Sequence, residues 1–172
     1  MAIPVAPRPV DVAGYYTSQH PESFDVSWTE FYRLADMLTA ELREEVEFES
    51  DVLYGTDPSH IMDIYFPKRP ISAAPVFVFL HGGGFREGHP AHYGHLAAPF
   101  LEAGAIFVSL GYRLEPAVSF PQTADDVVLT LRWLQEHIQH RGGDPQSIVI
   151  GGHSAGAMIA SLLAVRKDWQ GA

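Results

Sequence analysis

A serine between glycines, directly after an apolar run, is the residue of this chain best placed to do nucleophilic chemistry. Residues 148–150 read Ile-Val-Ile, and residues 151–156 continue Gly-Gly-His-Ser-Ala-Gly. Gly-x-Ser-x-Gly between a strand and a helix forms a sharp turn that exposes the serine hydroxyl for attack on a carbonyl carbon. We therefore predict that Ser154 is a covalent nucleophile.

The base that such a serine usually requires does not follow it in the sequence. All nine histidines lie before Ser154. His153 is its immediate neighbour on the sharp turn, so we expect the His153 side chain to point away from the serine hydroxyl. The chain thus carries a nucleophile without its usual base.

A second glycine-rich motif follows an earlier apolar run. Residues 81–85 read His-Gly-Gly-Gly-Phe, after Val-Phe-Val-Phe-Leu at 76–80. Consecutive glycines lose much backbone entropy on folding, which is tolerable where backbone N–H groups must face a ligand. Such donors stabilise the oxyanion that forms when a serine attacks a carbonyl. We interpret His81 as a residue that orders this loop rather than a catalyst.

Four motifs in this order resemble the α/β-hydrolase superfamily, and within it the hormone-sensitive-lipase-like esterases and the related arylformamidases. They are His-Gly-Gly-Gly at 81–84, Gly-Tyr-Arg-Leu at 111–114, Gly-Asp-Pro at 143–145 and Gly-His-Ser-Ala-Gly at 152–156. The resemblance runs from about Val46 to Ala164. The three glycines favour the esterase branch and the histidine before the serine favours the arylformamidase branch, so both stay open.

The resemblance implies a fold, an oxyanion hole and a missing part. The fold is the α/β-hydrolase fold, a mostly parallel central sheet with helices on both faces and strand order 1-2-4-3-5-6-7-8, of which this chain supplies strands one to five. The oxyanion hole consists of the backbone N–H groups of Gly83, Gly84 and Ala155. Because the family orders its triad as serine, acid, histidine, we expect the acid and histidine from the C-terminal half of the same precursor, present as a second polypeptide.

Residues beside these motifs are candidates for substrate contacts. We place Phe85, Arg86 and His153 next to the substrate. Two alternatives stay open for Arg86: it binds a carboxylate of the substrate, or it is an exposed surface residue without a function. Arg113 suits a bidentate carboxylate partner, one of the two aspartates at 125–126, and is expected to be structural.

The sequence predicts neither a metal site nor a cofactor. His89, His92 and His95 recur every three residues. Without an acidic ligand to accompany them, they are expected to line the solvated rim of a pocket. The chain has no cysteine, so it offers no thiolate ligand.

Hydrophobic periodicity predicts the elements that position these motifs. Residues 1–26 form an N-terminal arm, and residues 27–172 form the N-terminal part of a single α/β-hydrolase domain. A helix at 27–44 opens with a capping box of Ser27 and Glu30. Its buried stripe is expected at Trp28, Phe31, Ala35, Leu38 and Leu42. Strands are predicted at 46–54, 61–66, 76–80, 105–110 and 147–150, and further helices at about 93–102, 123–140 (opened by Thr123 and Asp126) and 155–165.

Composition narrows the classes of partner. The 172 residues include 21 acidic and 11 basic side chains, a formal charge of −10, which disfavours nucleic acid and anionic membranes. No stretch approaches the roughly 20 apolar residues of a membrane span, and prolines occupy the start where a signal peptide would be apolar, so we expect a cytoplasmic protein. The oligomeric state stays open, a homo-oligomer included.

Two functions from different classes fit the sequence. The first is a serine hydrolase that cleaves a small carboxylic ester or (form)amide through an acyl-enzyme. The alternative is a non-catalytic, hydrolase-derived protein that binds a small molecule, similar to the gibberellin receptors, which keep the fold and the serine but lack the histidine. A late histidine in the missing half would decide between them.

Overall fold

The computed structural model describes residues 28–69 and 72–166. The predicted arm at 1–26 and the predicted cap Ser27 therefore lie outside the described residues. A five-stranded sheet forms the centre. Its strands are β1 (Phe48–Leu53), β2 (Ile61–Tyr65), β3 (Ala74–Leu80), β4 (Ile106–Leu110) and β5 (Gly143–Gly152).

The sheet is mixed, and its strands neighbour one another in the order β1-β2-β4-β3-β5, which confirms the predicted order. The predicted antiparallel pairing of β1 with β2 is confirmed, and β2 also pairs antiparallel with β4. β3 lies between β4 and β5 and runs parallel to both. The carboxyl ends of parallel strands lie at one edge of a sheet, so the segments that follow β3, β4 and β5 meet there.

Helices and short 3₁₀ segments connect the strands. The helices are α1 (Trp28–Glu45), α2 (Ala98–Glu102), α3 (Phe120–His137) and α4 (Ala155–Val165), and the 3₁₀ segments are Pro90–His92, Gly94–Ala97 and Ile138–Arg141. In the part of the chain that the structure describes, none of these helices is long and apolar enough to cross a membrane.

Apolar side chains cover both faces of the sheet, as the fold class requires. Val108 of β4 belongs to a cluster that includes residues of α3 and α4, among them Val127 and Ile159. The neighbouring Phe107 points to the opposite face and packs in a cluster with Leu101 of α2. Alternate residues of one strand thus serve two buried layers, which explains why the strand reads as a continuous apolar run.

Two helix predictions need correction. The helix predicted at 93–102 is α-helical only over Ala98–Glu102, because Pro99 lacks the N–H that a longer helix would need at that point. α3 begins at Phe120 rather than at Thr123, and the backbone N–H of Ser119 donates to Gln122 Oε1 at 3.0 Å. The predicted cap residues are engaged elsewhere, since the Thr123 hydroxyl donates to the carbonyl of Arg113 at 3.0 Å.

The predicted buried stripe of α1 is also wrong in part. Tyr32, Ala35 and Thr39 are the buried positions, whereas Phe31 is 41% and Leu38 is 37% exposed. The helix is rotated because polar residues on its inner face have partners in the 3₁₀ segments. Among them, the Thr39 hydroxyl accepts the backbone N–H of His95 at 3.0 Å.

Candidate active site

Ser154 lies on a strained turn between β5 and α4. Its backbone has φ 52° and ψ −117°, a conformation that non-glycine residues rarely adopt. The side chain is exposed. The turn is held on both sides, because His153 donates its backbone N–H to the carbonyl of Leu80 at 3.1 Å and accepts the N–H of Gly156 at 3.0 Å. The hydroxyl therefore stands at the carboxyl edge of the sheet on a fixed backbone.

Close packing explains the two glycines that flank the serine. A Cβ on Gly152 would lie 2.7 Å from the carbonyl oxygen of Leu80, and a Cβ on Gly156 would collide with the same carbonyl. The turn is thus seated on the last residue of β3. The His-Gly-Gly-Gly motif starts at the next residue of the chain, His81, so the two motifs meet at this point.

The glycine-rich loop, defined here as residues 82–88, turns sharply away from β3. Four of its residues have positive φ: Gly83 (118°), Gly84 (60°), Phe85 (64°) and Gly88 (116°). The carbonyl of Gly83 accepts the N–H groups of Arg86 at 3.0 Å and Glu87 at 3.2 Å, which closes the turn. A Cβ on Gly82 would lie 3.2 Å from the Cβ of Ser154, so the loop begins directly against the serine.

The predicted oxyanion-hole residues lie on these two segments. Within the described residues, no backbone carbonyl accepts the N–H of Gly83, Gly84 or Ala155. Ala155 is the first residue of α4, where helical N–H groups lack an intrahelical partner and the helix dipole is positive. Donors with these properties suit a developing negative charge.

His81 is buried beneath the loop, in the loop-ordering position that the sequence analysis assigned to it. Its Nδ1 lies 2.7 Å from the carbonyl oxygen of Gly82. Its own carbonyl accepts the hydroxyl of Tyr112 at 2.5 Å, and the two rings stack with centroids 4.3 Å apart. Burial lowers the pKa of His81 from 6.5 to about 4, so the ring is neutral at pH 7.

We expect His81 to make the folded state less stable in acid. Its pKa is 6.5 in the unfolded chain and about 4 in the folded protein, so between these values the unfolded state binds the proton and the folded state does not. The contribution of His81 to the free energy of unfolding is therefore fully present above pH 6.5 and is lost as the pH falls towards 4. The full loss is about 3 kcal/mol, since one pKa unit corresponds to about 1.4 kcal/mol. Urea unfolding of the complete protein across this range measures it.

His81→Gln removes the titrating ring and should flatten the pH dependence of the unfolding free energy. His140→Gln is the matched control because His140 is exposed. It should leave the dependence as it is in the wild type. A His81→Gln variant whose stability still falls as steeply as that of the wild type would contradict the assignment.

The three predicted substrate contacts surround the same region in different environments. His153 is exposed, with Nδ1 2.7 Å from where a Gly82 Cβ would be. The carbonyl of Phe85 accepts the N–H of Glu115 at 2.7 Å, which ties the loop to the segment after β4. The Arg86 side chain is 68% exposed, and its Nε lies 3.4 Å from Glu115 Oε2.

Arg113 has the structural partner that the sequence predicted. It binds Asp126, with Nη2 2.5 Å and Nε 3.0 Å from Oδ1. His60 is a further, unpredicted member of this cluster, and its Nε2 lies 3.0 Å from Asp126 Oδ1. The separation of His60 from Asp126 along the chain gave no local signal. This buried cluster ties the start of β2 to α3.

The expectation of a solvated histidine rim is wrong for His92. It is only 5% exposed, and its Nδ1 lies 2.6 Å from Asp36 Oδ1 on α1. The missing acidic neighbour thus comes from a distant part of the chain. The His89 ring accepts the N–H of Ala91 at 3.2 Å. Across residues 28–69 and 72–166, no three His, Asp or Glu side chains are arranged to hold a metal ion.

Comparison with known proteins gives consistent matches over the chain. The family model described as the carboxylesterase family matches residues 2–172. Esterase P of Drosophila melanogaster is 32% identical over an alignment that covers 98% of this chain and 32% of that protein. Esterase LipC of Mycobacterium tuberculosis is 30% identical over 92% of this chain and 40% of its own length. The chain therefore spans about a third of the length of the former relative.

Solved structures share the fold. An inhibited esterase B from Lactobacillus rhamnosis has a TM-score of 0.69 and 30% identity, covering 80% of this chain and 46% of its own. A structure described as a putative thioesterase from Silicibacter has a TM-score of 0.70 at 19% identity, covering 86% of this chain and 54% of its own. At that identity the second likeness concerns the fold alone.

Proposed function

The chain belongs to the carboxylesterase family of α/β-hydrolases, and from this premise we propose that it is the N-terminal part of a serine hydrolase that cleaves small carboxylic esters through an acyl-enzyme. The observation that carries the proposal is the Ser154 turn, which is strained, exposed and seated against the glycine-rich loop. The esterase names of the relatives favour a hydrolase over the binding-protein alternative.

In the proposed reaction, Ser154 Oγ forms a bond with the ester carbonyl carbon and gives its proton to a histidine. The carbonyl π electrons move to the oxygen, whose charge is stabilised by the N–H groups of Gly83, Gly84 and Ala155. Collapse of this intermediate breaks the bond to the alcohol, which leaves with the proton. Water then repeats the sequence on the acyl-enzyme and releases the carboxylic acid.

The acid and the histidine belong, in this proposal, to the C-terminal half of the same precursor. Support comes from the share of relatives that the chain covers, 32% of Esterase P. It also comes from the exposed side of β5, where Val149 is 55% exposed. Further strands beside β5 would cover this residue and bring the two missing groups to Ser154.

We expect the complete protein to hydrolyse short-chain aryl esters. Hydrolysis of such an ester requires the oxyanion donors and only a small acyl pocket. Hydrolysis of N-formyl aryl amides, the arylformamidase-like alternative, has the same two requirements. Comparing kcat/KM for p-nitrophenyl butyrate with that for N-formylkynurenine separates the two. A preference for long-chain lipid esters by orders of magnitude would contradict both substrate predictions. If neither small substrate is hydrolysed, the proposed function itself is contradicted.

A further inference from the structure

The conformation of the glycine-rich loop at 82–88 depends on the contacts that hold its two ends. At its upstream end, His81 alone separates it from Leu80, the last residue of β3. Its interior has four residues with positive φ and is closed by the two hydrogen bonds to the Gly83 carbonyl. Its downstream end leads within two residues into the 3₁₀ segment Pro90–His92. The direction of the loop N–H groups therefore depends on the anchoring of that segment.

His92 anchors the downstream segment to α1. The ring is buried, and its Nδ1 donates to Asp36 Oδ1 at 2.6 Å. Its ring lies against that of Tyr32 on the same helix, with centroids 4.6 Å apart. The Asp36 side chain is 55% exposed, but a hydrogen bond from an imidazole to a carboxylate is still stronger than one between neutral groups. α1 thus clamps the segment by one charge-assisted bond and one ring contact.

A second contact path leads from this clamp back to the loop. Tyr93, the residue after His92, stacks on His81 with ring planes 7° apart and centroids 5.7 Å apart. His81 Nδ1 in turn lies 2.7 Å from the carbonyl oxygen of Gly82. A shift of the 3₁₀ segment would therefore reach the loop from both its downstream end and its underside.

We propose that Asp36 is a positioning residue, which acts through His92 to keep the N–H groups of Gly83 and Gly84 aimed at the oxyanion. The proposal rests on the proposed function, since it needs an oxyanion at that loop. A carboxylate on an N-terminal helix then contributes to catalysis without touching the substrate. A displacement of about 1 Å at a catalytic site costs up to about 100-fold in rate.

The test is the burst of p-nitrophenol from the complete protein with p-nitrophenyl acetate. The burst rate constant reports acylation through the oxyanion, and the burst amplitude counts folded active sites as long as acylation is much faster than deacylation. In Asp36→Ala we expect a burst rate constant about 10- to 100-fold lower, with an unchanged number of sites labelled by a fluorophosphonate. Asp36→Asn keeps an acceptor oxygen for His92 and should recover most of the rate. Glu41→Ala is the control, because Glu41 is an exposed carboxylate of the same helix.

Two results would overturn the inference. One is a rate constant in Asp36→Ala equal to that of Glu41→Ala, and the other is a lower amplitude at an unchanged rate constant, which indicates a purely structural role. Ser154→Ala separates this failure from that of the proposed function. A burst that persists in Ser154→Ala contradicts the proposed function itself, whereas a burst abolished in Ser154→Ala but unaltered in Asp36→Ala contradicts only the role of Asp36.

Discussion

Ser154→Ala should lower kcat of the complete protein for p-nitrophenyl butyrate by about 10⁴- to 10⁶-fold, the range expected when a serine nucleophile is removed. Alanine keeps the Cβ that already fits the turn at φ 52°. The substitution removes the attacking oxygen while the loop and helix that face it remain. Initial rates measure the loss, and equal thermal midpoints for the two proteins show that the fold is retained. Full turnover by the variant would contradict the assignment.

Covalent labelling identifies the same residue independently. A fluorophosphonate probe should modify the complete wild-type protein at Ser154, as shown by peptide mapping, and should leave Ser154→Ala unlabelled. Ser161→Ala is the matched control, because Ser161 is an exposed serine of α4, the helix that follows Ser154, and its hydroxyl donates to the carbonyl of Ala157 at 2.8 Å. It should be labelled like the wild type. Unchanged labelling of Ser154→Ala would exclude Ser154 as the nucleophile.

The strands could be predicted because each carries its own signal. A strand covered on both faces must be apolar at consecutive positions, and β3 and β4 read that way in the sequence. The contact between the two motifs could also be predicted from local sequence, because glycines occur where one backbone segment packs directly against another. Gly152 and Gly156 meet the carbonyl of Leu80 for this reason. Sheet order came from the resemblance rather than from periodicity.

The errors fall where partners are distant in sequence. Periodicity assigned Phe31 and Leu38 to the buried face of α1, but the buried Thr39 and the half-exposed Asp36 instead bind residues more than 50 positions away. The spacing of the histidines likewise does not predict which carboxylate binds His92. A hydrogen bond between remote polar groups leaves no pattern in either segment, so such contacts could not be derived from the sequence.

Residues 1–172 expressed alone should be largely insoluble. In the described part of the chain β5 pairs with β3 on one side, and Val149 is 55% exposed. On the other face of the sheet, Met158 and Val165 of α4 are 50% and 73% exposed. An open strand edge and exposed apolar side chains associate with other chains, because the edge N–H and C=O groups can pair there and the side chains can be buried. The soluble fraction after centrifugation measures this.

Co-expression of the downstream segment of the precursor should raise the soluble fraction and restore esterase activity together, since that segment would pair along β5 and supply the acid and the histidine. Val149→Lys is the discriminating control. A charge on the exposed edge opposes association, so this variant of residues 1–172 should be more soluble yet still inactive. A soluble, cooperatively unfolding and esterase-active monomer of residues 1–172 would refute the need for a second segment, because residues 1–172 would then contain a base that Ser154 can use.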